Sequence, residues 1–155
     1  MVVSGVVTTS CALTVQSRPS WTTTFLDIAE IVSKRSTCSR RQVGAVLVQD
    51  NRIVSTGYNG APPGQAHCVD GGCPRGKLSH EEVPKDADYN QFPCVAVHAE
   101  ANAIIRAGYA LTKDASLYIT TSPCQQCWNL IQGAGIVRVV WQDSLGIHKQ
   151  YPNPH

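Results

Sequence analysis

Charge is scarce in this chain. Only 15% of its 155 residues are Asp, Glu, Lys or Arg, and the formal net charge is +2. No basic run stands out beyond Lys34-Arg35 and Arg40-Arg41. A protein that grips nucleic acid by neutralising phosphates needs a basic face, so that class is disfavoured and a small substrate favoured. Aromatic residues make up 6%, which is thin for stacking the bases of a bound single strand. No apolar run approaches a membrane span, so no membrane partner is expected. Met1 to Val15 is mildly apolar but has no basic leader, so residues 1–20 read as a flexible tail rather than a secretory signal. The length suits one domain with a sizeable core.

Cysteine is the exception to this plainness. There are seven: Cys11, Cys38, Cys68, Cys73, Cys94, Cys124 and Cys127. An odd count with one C-x-x-C pair argues against a simple disulfide framework. With His67, His80 and His98 nearby in sequence, these residues read as metal ligands in a reducing cytoplasm.

The coarse order of elements places them. Ser20 can cap an amphipathic helix over 21–36, where Phe25, Ile28, Ala29, Ile31 and Val32 recur at helical spacing. Residues 43–48 and 52–56 read as strands of a hairpin turning at Asp50-Asn51. From Gly57 to about 97 the chain is rich in Gly and Pro and reads as one long loop, which needs a function or a clamp. Residues 98–107 read as a helix and 116–120 as a strand. A second helix runs from Pro123 to about Gln132, and 136–141 is another strand. The folded unit thus spans 21–141, and 142–155 reads as an irregular tail. Strands alternating with helices predict a layered α/β fold.

The chemistry concentrates in His98-Ala99-Glu100 and Pro123-Cys124-Gln125-Gln126-Cys127. His98, Cys124 and Cys127 supply three ligands for Zn²⁺ and leave the fourth tetrahedral position open, which is a catalytic arrangement rather than a closed structural one. Both halves fall at expected helix starts, where partial positive charge favours thiolates. Glu100 is not needed as a ligand and can handle the protons of a zinc-bound water, whose pKa falls to about 7. Each piece alone has a duller reading: a zinc knuckle, a redox pair, a carboxylate complementing a helix dipole. Together and in this order they form the H-x-E…P-C-x-x-C signature of zinc nucleobase deaminases.

At these residues the sequence resembles the cytidine deaminase superfamily, and within it the deoxycytidylate (dCMP) deaminases. The run His98-Ala99-Glu100-Ala101-Asn102-Ala103-Ile104 carries the resemblance, as do Thr121-Ser122-Pro123-Cys124-Gln125-Gln126-Cys127, Val43-Gly44-Ala45-Val46 and Gly57-Tyr58-Asn59-Gly60. It covers roughly residues 21–141. It implies a three-layer α/β/α cytidine deaminase-like fold with a central mixed sheet of four to five strands. It implies hydrolysis of dCMP to dUMP and ammonia through a zinc-bound hydroxide, with Glu100 as proton shuttle. It also implies substrate contacts at Asn59, at the Ala99 backbone N–H and near Ser122. The resemblance further implies a homo-oligomer, often a hexamer, sometimes regulated by dCTP and dTTP.

A second, structural zinc is expected on Cys38, His67, Cys73 and Cys94, a closed Cys₃His set that would clamp the long loop. Cys68 rivals His67 as the loop ligand, and His80 is a spare. The competing view is buried thiols and a surface histidine. For a substrate phosphate, Arg40, Arg41, Arg75 and Lys77 are candidates, each of which also reads as ordinary surface charge. Other functions on the same scaffold are deamination of another nucleobase, nucleoside or nucleotide, including purines and biosynthetic intermediates. Editing of a nucleic acid polymer is disfavoured by composition. An inactive zinc-stabilised module is disfavoured by Glu100, which holding a metal does not require.

Overall fold

A computed structural model describes residues 17–83, 87–88 and 90–153, so residues 1–16 of the expected tail lie outside it. The first helix, α1, spans Trp21–Ser33, and the Ser20 side chain accepts the Thr23 N–H at its start. Strands β1 (Gly44–Gln49) and β2 (Arg52–Tyr58) form the hairpin. Its two-residue turn has Asp50 and Asn51 at φ 50° and 59°. Positive φ at both positions gives a twist that matches the strands, and Asp and Asn tolerate it. After the loop come α2 (Ala99–Ala107), a short α3 (Tyr109–Thr112) and β3 (Ser116–Ile119). Helix α4 spans Gln125–Gly133, followed by β4 (Arg138–Asp143) and β5 (Gly146–Gln150).

The sheet has five strands in the order β2-β1-β3-β4-β5. It is mixed: β3 and β4 run parallel, and the other neighbours are antiparallel. Side chains alternate across it, as strand geometry requires. Ala45, Leu47, Leu117, Ile119 and Val139 face one way and pack on Ala99, Ala103 and Ile104 of α2 and Ile131 of α4. Val46, Val48, Tyr118 and Val140 face the other way and pack on Phe25, Leu26 and Ala29 of α1. The result is three layers, with α2 and α4 side by side on one face.

Two close approaches fix the helices to the sheet. A Cβ on Gly44 would lie 2.0 Å from the Ala29 carbonyl oxygen, and one on Gly57 would lie 2.2 Å from that of Ala99. Only glycine lets backbone sit this near backbone. Ser55 Oγ donates to the Ala103 carbonyl at 2.8 Å, which adds a polar tie between β2 and α2.

Two expectations need correction. The segment after Trp141 is not irregular: β4 continues to Asp143, and β5 pairs with it antiparallel, Trp141 opposite His148. The hairpin is set locally, since Asp143 Oδ1 accepts the Leu145 N–H and the Trp141 and His148 rings stack at 5.2 Å. The stretch from Gly57 is also not wholly loop. Strand β2 runs through Tyr58, and Gly60 forms a bridge with Val97, with bonds of 3.1 and 2.8 Å. Two short 3₁₀ turns, Cys68–Asp70 and Arg75–Lys77, lie within the loop.

Candidate active site and metal centre

Two helix starts meet at the end of the sheet. His98 is the N-cap residue of α2 and Cys124 that of α4, both with extended backbone, and neither side chain caps its own helix. Their side chains are therefore available to each other. His98 Nδ1 lies 3.6 Å from Cys124 Sγ and 3.4 Å from Cys127 Sγ. Ligands around one tetrahedral zinc, at the usual bond lengths, are separated by about 3.6 Å. The donor set, one imidazole and two thiols, is also one that suits zinc. Among the described residues, these three alone bring ligand atoms all within 4.8 Å of one another.

Glu100 sits one residue inside α2 and is 3% exposed. Burial pushes its carboxyl above the ordinary value. Its own backbone N–H, the charge of His98, a hydrogen bond from Cys127 and the charge of Arg41 oppose that rise without cancelling it. A carboxyl raised in this way is suited to take and return a proton near neutral pH. Burial, then the neighbouring Glu100 and Cys124, push the Cys127 thiol strongly upward. The metal-free thiol is thus held as S–H, and a bound cation would reverse that balance.

His98, Ala99, Glu100 and Cys124 line a cavity of about 360 Å³, together with Asn59, Thr121 and Ser122 from the sheet end. This falls in the usual range for small-molecule sites. Ala99 opens α2, so its N–H has no acceptor within the helix. Ser122 is exposed on the cavity wall. Asn59 is buried, and most of its amide is already engaged. Its Oδ1 accepts the Val43 N–H at 2.8 Å and the Ser36 hydroxyl at 2.7 Å, and its Nδ2 donates to the Arg41 carbonyl at 2.8 Å. One N–H remains for a ligand.

Residues 19–143 match the family described as the cytidine and deoxycytidylate deaminase zinc-binding region. The chain belongs to that family. It is 50% identical to the deoxycytidylate deaminase of Mycobacterium phage D29 over 127 residues, covering 81% of this chain and 96% of that one. It is 43% identical to the Schizosaccharomyces pombe deoxycytidylate deaminase over 84% of this chain, but spans only 39% of the yeast protein. A solved dCMP deaminase from cyanophage S-TIM5, in complex with dCMP and dUMP, superposes with a TM-score of 0.58 at 28% identity. That match covers 82% of this chain and 84% of the cyanophage one.

Within this deaminase fold, Asn102 emerges as a positioning residue that sequence reasoning quoted without giving it a role. Its Nδ2 donates to the Tyr58 carbonyl at 2.8 Å and, more weakly, to that of Val97 at 3.4 Å. It thereby pins the start of α2 to the end of β2. Its place on the second turn, four residues after His98, was the available signal.

The second group of expected ligands is only partly assembled. Cys73 and Cys94 lie with their sulfurs 3.7 Å apart. The charges of Cys38 and Cys73 act on both Cys68 and Cys94. Burial raises Cys68, and it pushes Cys94 up to about 11. Burial also works to raise Cys73, but hydrogen bonds with the Val95 and Gly76 backbone and with Cys94 and Cys68 together outweigh it and leave that thiol below its ordinary value. His67 does not join the group. It is exposed, with extended backbone just before the 3₁₀ turn, so consecutive side chains point opposite ways and Cys68 turns inward instead. Cys68 Sγ lies 3.1 Å from Ser39 Oγ, and His67 serves the loop through its carbonyl, which accepts the Asp70 and Gly72 N–H groups. His80 is exposed on the cavity wall.

Proposed function

We propose that this deaminase converts dCMP to dUMP and ammonia. The observation that carries the chemistry is the convergence of His98, Cys124 and Cys127 with buried Glu100 beside them. The likeness to the phage D29 enzyme along almost its whole length supports the choice of base and phosphate. His98, Cys124 and Cys127 would hold the zinc, which when bound would supply a water acidic enough to lose a proton near neutral pH. Glu100 would accept that proton and deliver it to ring N3, which makes C4 electrophilic enough for the water's oxygen to add to it. Glu100 would then take the proton of the new C4 hydroxyl and pass it to the amine, so that the C4–N bond breaks, the C4 carbonyl forms and ammonia leaves. The Ala99 N–H and the Ser122 region hold the base, and the remaining Asn59 N–H is offered to the sugar. Ammonia release from dCMP, CMP, deoxycytidine and dCTP tests the reading. The highest kcat/KM is expected for dCMP, and turnover of free cytidine or deoxycytidine without dCMP would overturn it.

A second, structural zinc on Cys38, Cys68, Cys73 and Cys94 is part of this proposal. Two thiolates on one zinc lie about 3.8 Å apart, close to the Cys73–Cys94 separation of 3.7 Å. The exposed His67 favours Cys68 as the fourth ligand. Thiols kept as metal ligands also support a reducing, cytoplasmic setting. Among the described residues no helix is long and apolar enough to cross a membrane. We read the enzyme as a homo-oligomer, supported by the exposed Ile105, Tyr109 and Leu111 on α2 and α3. Light scattering of the purified protein reads the subunit number.

A further inference from the structure

We propose that Arg41 is the anchor for the substrate's 5′-phosphate, and so the residue that makes this a nucleotide rather than a nucleoside enzyme. This rests on the reading of the substrate as a monophosphate. Besides the metal ligand His98, four residues with cationic or potentially cationic side chains line the cavity: Arg40, Arg41, Arg75 and His80. Their hydrogen bonds separate the arginines.

Arg40 is committed to the loop. Its Nη1 donates to the Leu78 and Ser79 carbonyls at 2.9 and 3.2 Å, and its Nη2 to that of Val83 at 2.7 Å. Turning it toward a ligand would strand three carbonyls. Arg75 is buried and donates to the Ala87 and Phe92 carbonyls at 3.1 and 3.3 Å. It too holds the loop together.

Arg41 is differently placed. Its side chain is exposed at the cavity rim, and its Nη2 donates to Thr121 Oγ1 at 2.8 Å. That neutral hydroxyl orients the guanidinium without neutralising it. A guanidinium carries five N–H donors in a planar fork, and the fork matches two oxygens of a phosphate. The Arg41 backbone is held by the Asn59 amide, while Thr121 lies three residues before Cys124. The anchor is therefore tied to both walls of the site. Its charge still reaches Glu100, though as the weakest of the influences on that carboxyl. The metal ligands His98 and Cys124, the proton shuttle Glu100, Asn59 and the Arg41 guanidinium thus line one cavity, and Arg41 is the exposed one of its three arginines. A nucleoside monophosphate needs these same partners, for its reactive carbon, its sugar and its phosphate.

The test compares dUMP with deoxyuridine by calorimetry on zinc-loaded protein, with inorganic phosphate as a third titrant. Wild-type enzyme should bind dUMP about 10- to 100-fold more tightly than deoxyuridine, the range expected for charge-assisted hydrogen bonds. Arg41→Gln should shrink that ratio to within about threefold and weaken inorganic phosphate, while Arg41→Lys retains part of the preference as a point charge without the fork. A ratio unchanged in Arg41→Gln would overturn the proposal, as would equal weakening of dUMP and deoxyuridine. Failure of the functional reading looks different: wild-type enzyme would release no ammonia from dCMP. The inorganic phosphate titration still tests the anchor in that case, since loss of phosphate binding in Arg41→Gln upholds it and unchanged binding rejects it.

Discussion

Replacing Gly57 with alanine should dislodge the helix that presents His98 and Glu100. The new methyl would lie 2.2 Å from the Ala99 carbonyl oxygen and 2.5 Å from the Ala103 nitrogen. Both neighbours are backbone atoms of α2, so no rotamer change relieves the overlap. Ordinary contact requires the helix to retreat by about 1 Å, and overpacking of this kind costs roughly 1–3 kcal/mol. In a domain of this size each kcal/mol lowers Tm by roughly 2–4 °C, so a fall of about 6–12 °C is expected at the upper end. The functional loss should be larger than the stability loss suggests. A misplacement near 1 Å can reduce turnover about 10²-fold, and the moving segment bears both the imidazole ligand and the proton shuttle. Calorimetry and steady-state kinetics on the zinc-loaded variant read the two effects separately. Gly133→Ala is the control: a Cβ there meets nothing within 4 Å, and alanine at the end of α4 should leave Tm unchanged or raise it slightly. If Gly57→Ala keeps wild-type Tm and kcat, the helix does not rest on the strand as closely as described.

Glu100→Gln should reduce deamination by about 10⁴-fold, since one residue serves both proton transfers, while zinc content by metal analysis stays at the wild-type level. Metal analysis of chelator-washed protein should give two zincs per chain; Cys68→Ser should lower this to one and His67→Ala should not. Asn59→Ala leaves the buried Val43 N–H without its partner and should cost about 1–3 kcal/mol in chemical denaturation, even before any effect on substrate. Cys68, Cys94 and Cys127 are held protonated in the metal-free fold beyond the ordinary value of 9.0, with Cys73 opposing. The unfolded chain therefore ionises first, and metal-stripped protein should lose stability as pH climbs from about 9 toward 11. Zinc-loaded protein, its thiolates already ligated, should show no such loss across the same range by thermal melts.

The active centre was legible because it is built from two short segments, each reporting its own helix start. Spacing within His98–Glu100 and Cys124–Cys127 decides which atoms share a face, and the sheet only brings the two together. Strand β5 was not legible for the opposite reason. Gly146–Gln150 lies at a sheet edge with Ile147 and Lys149 exposed, so it lacks the buried alternating face that marks a strand. Its existence depends on the Asp143–Gly146 turn and a ring stack, neither of which is a periodic signal. The choice between His67 and Cys68 was open because adjacent residues differ only in direction, and direction depends on the backbone of one turn. Arg40 and Arg41 were indistinguishable in sequence; which of them spends its donors on carbonyls is decided by a loop more than thirty residues away.

The bridge between Gly60 and Val97 has a consequence for how such a protein can vary. Both bonds of that bridge join residues on either side of the long loop, so the chain leaves and returns at one point. Everything from 61 to 96 is a closed detour hanging from a fixed neck. Doubling the length of a flexible detour adds only about 0.6 kcal/mol of closure entropy. Insertions and deletions there can reshape the mouth of the cavity and its cysteine content while the neck, and the ligand His98 just beyond it, keep their register.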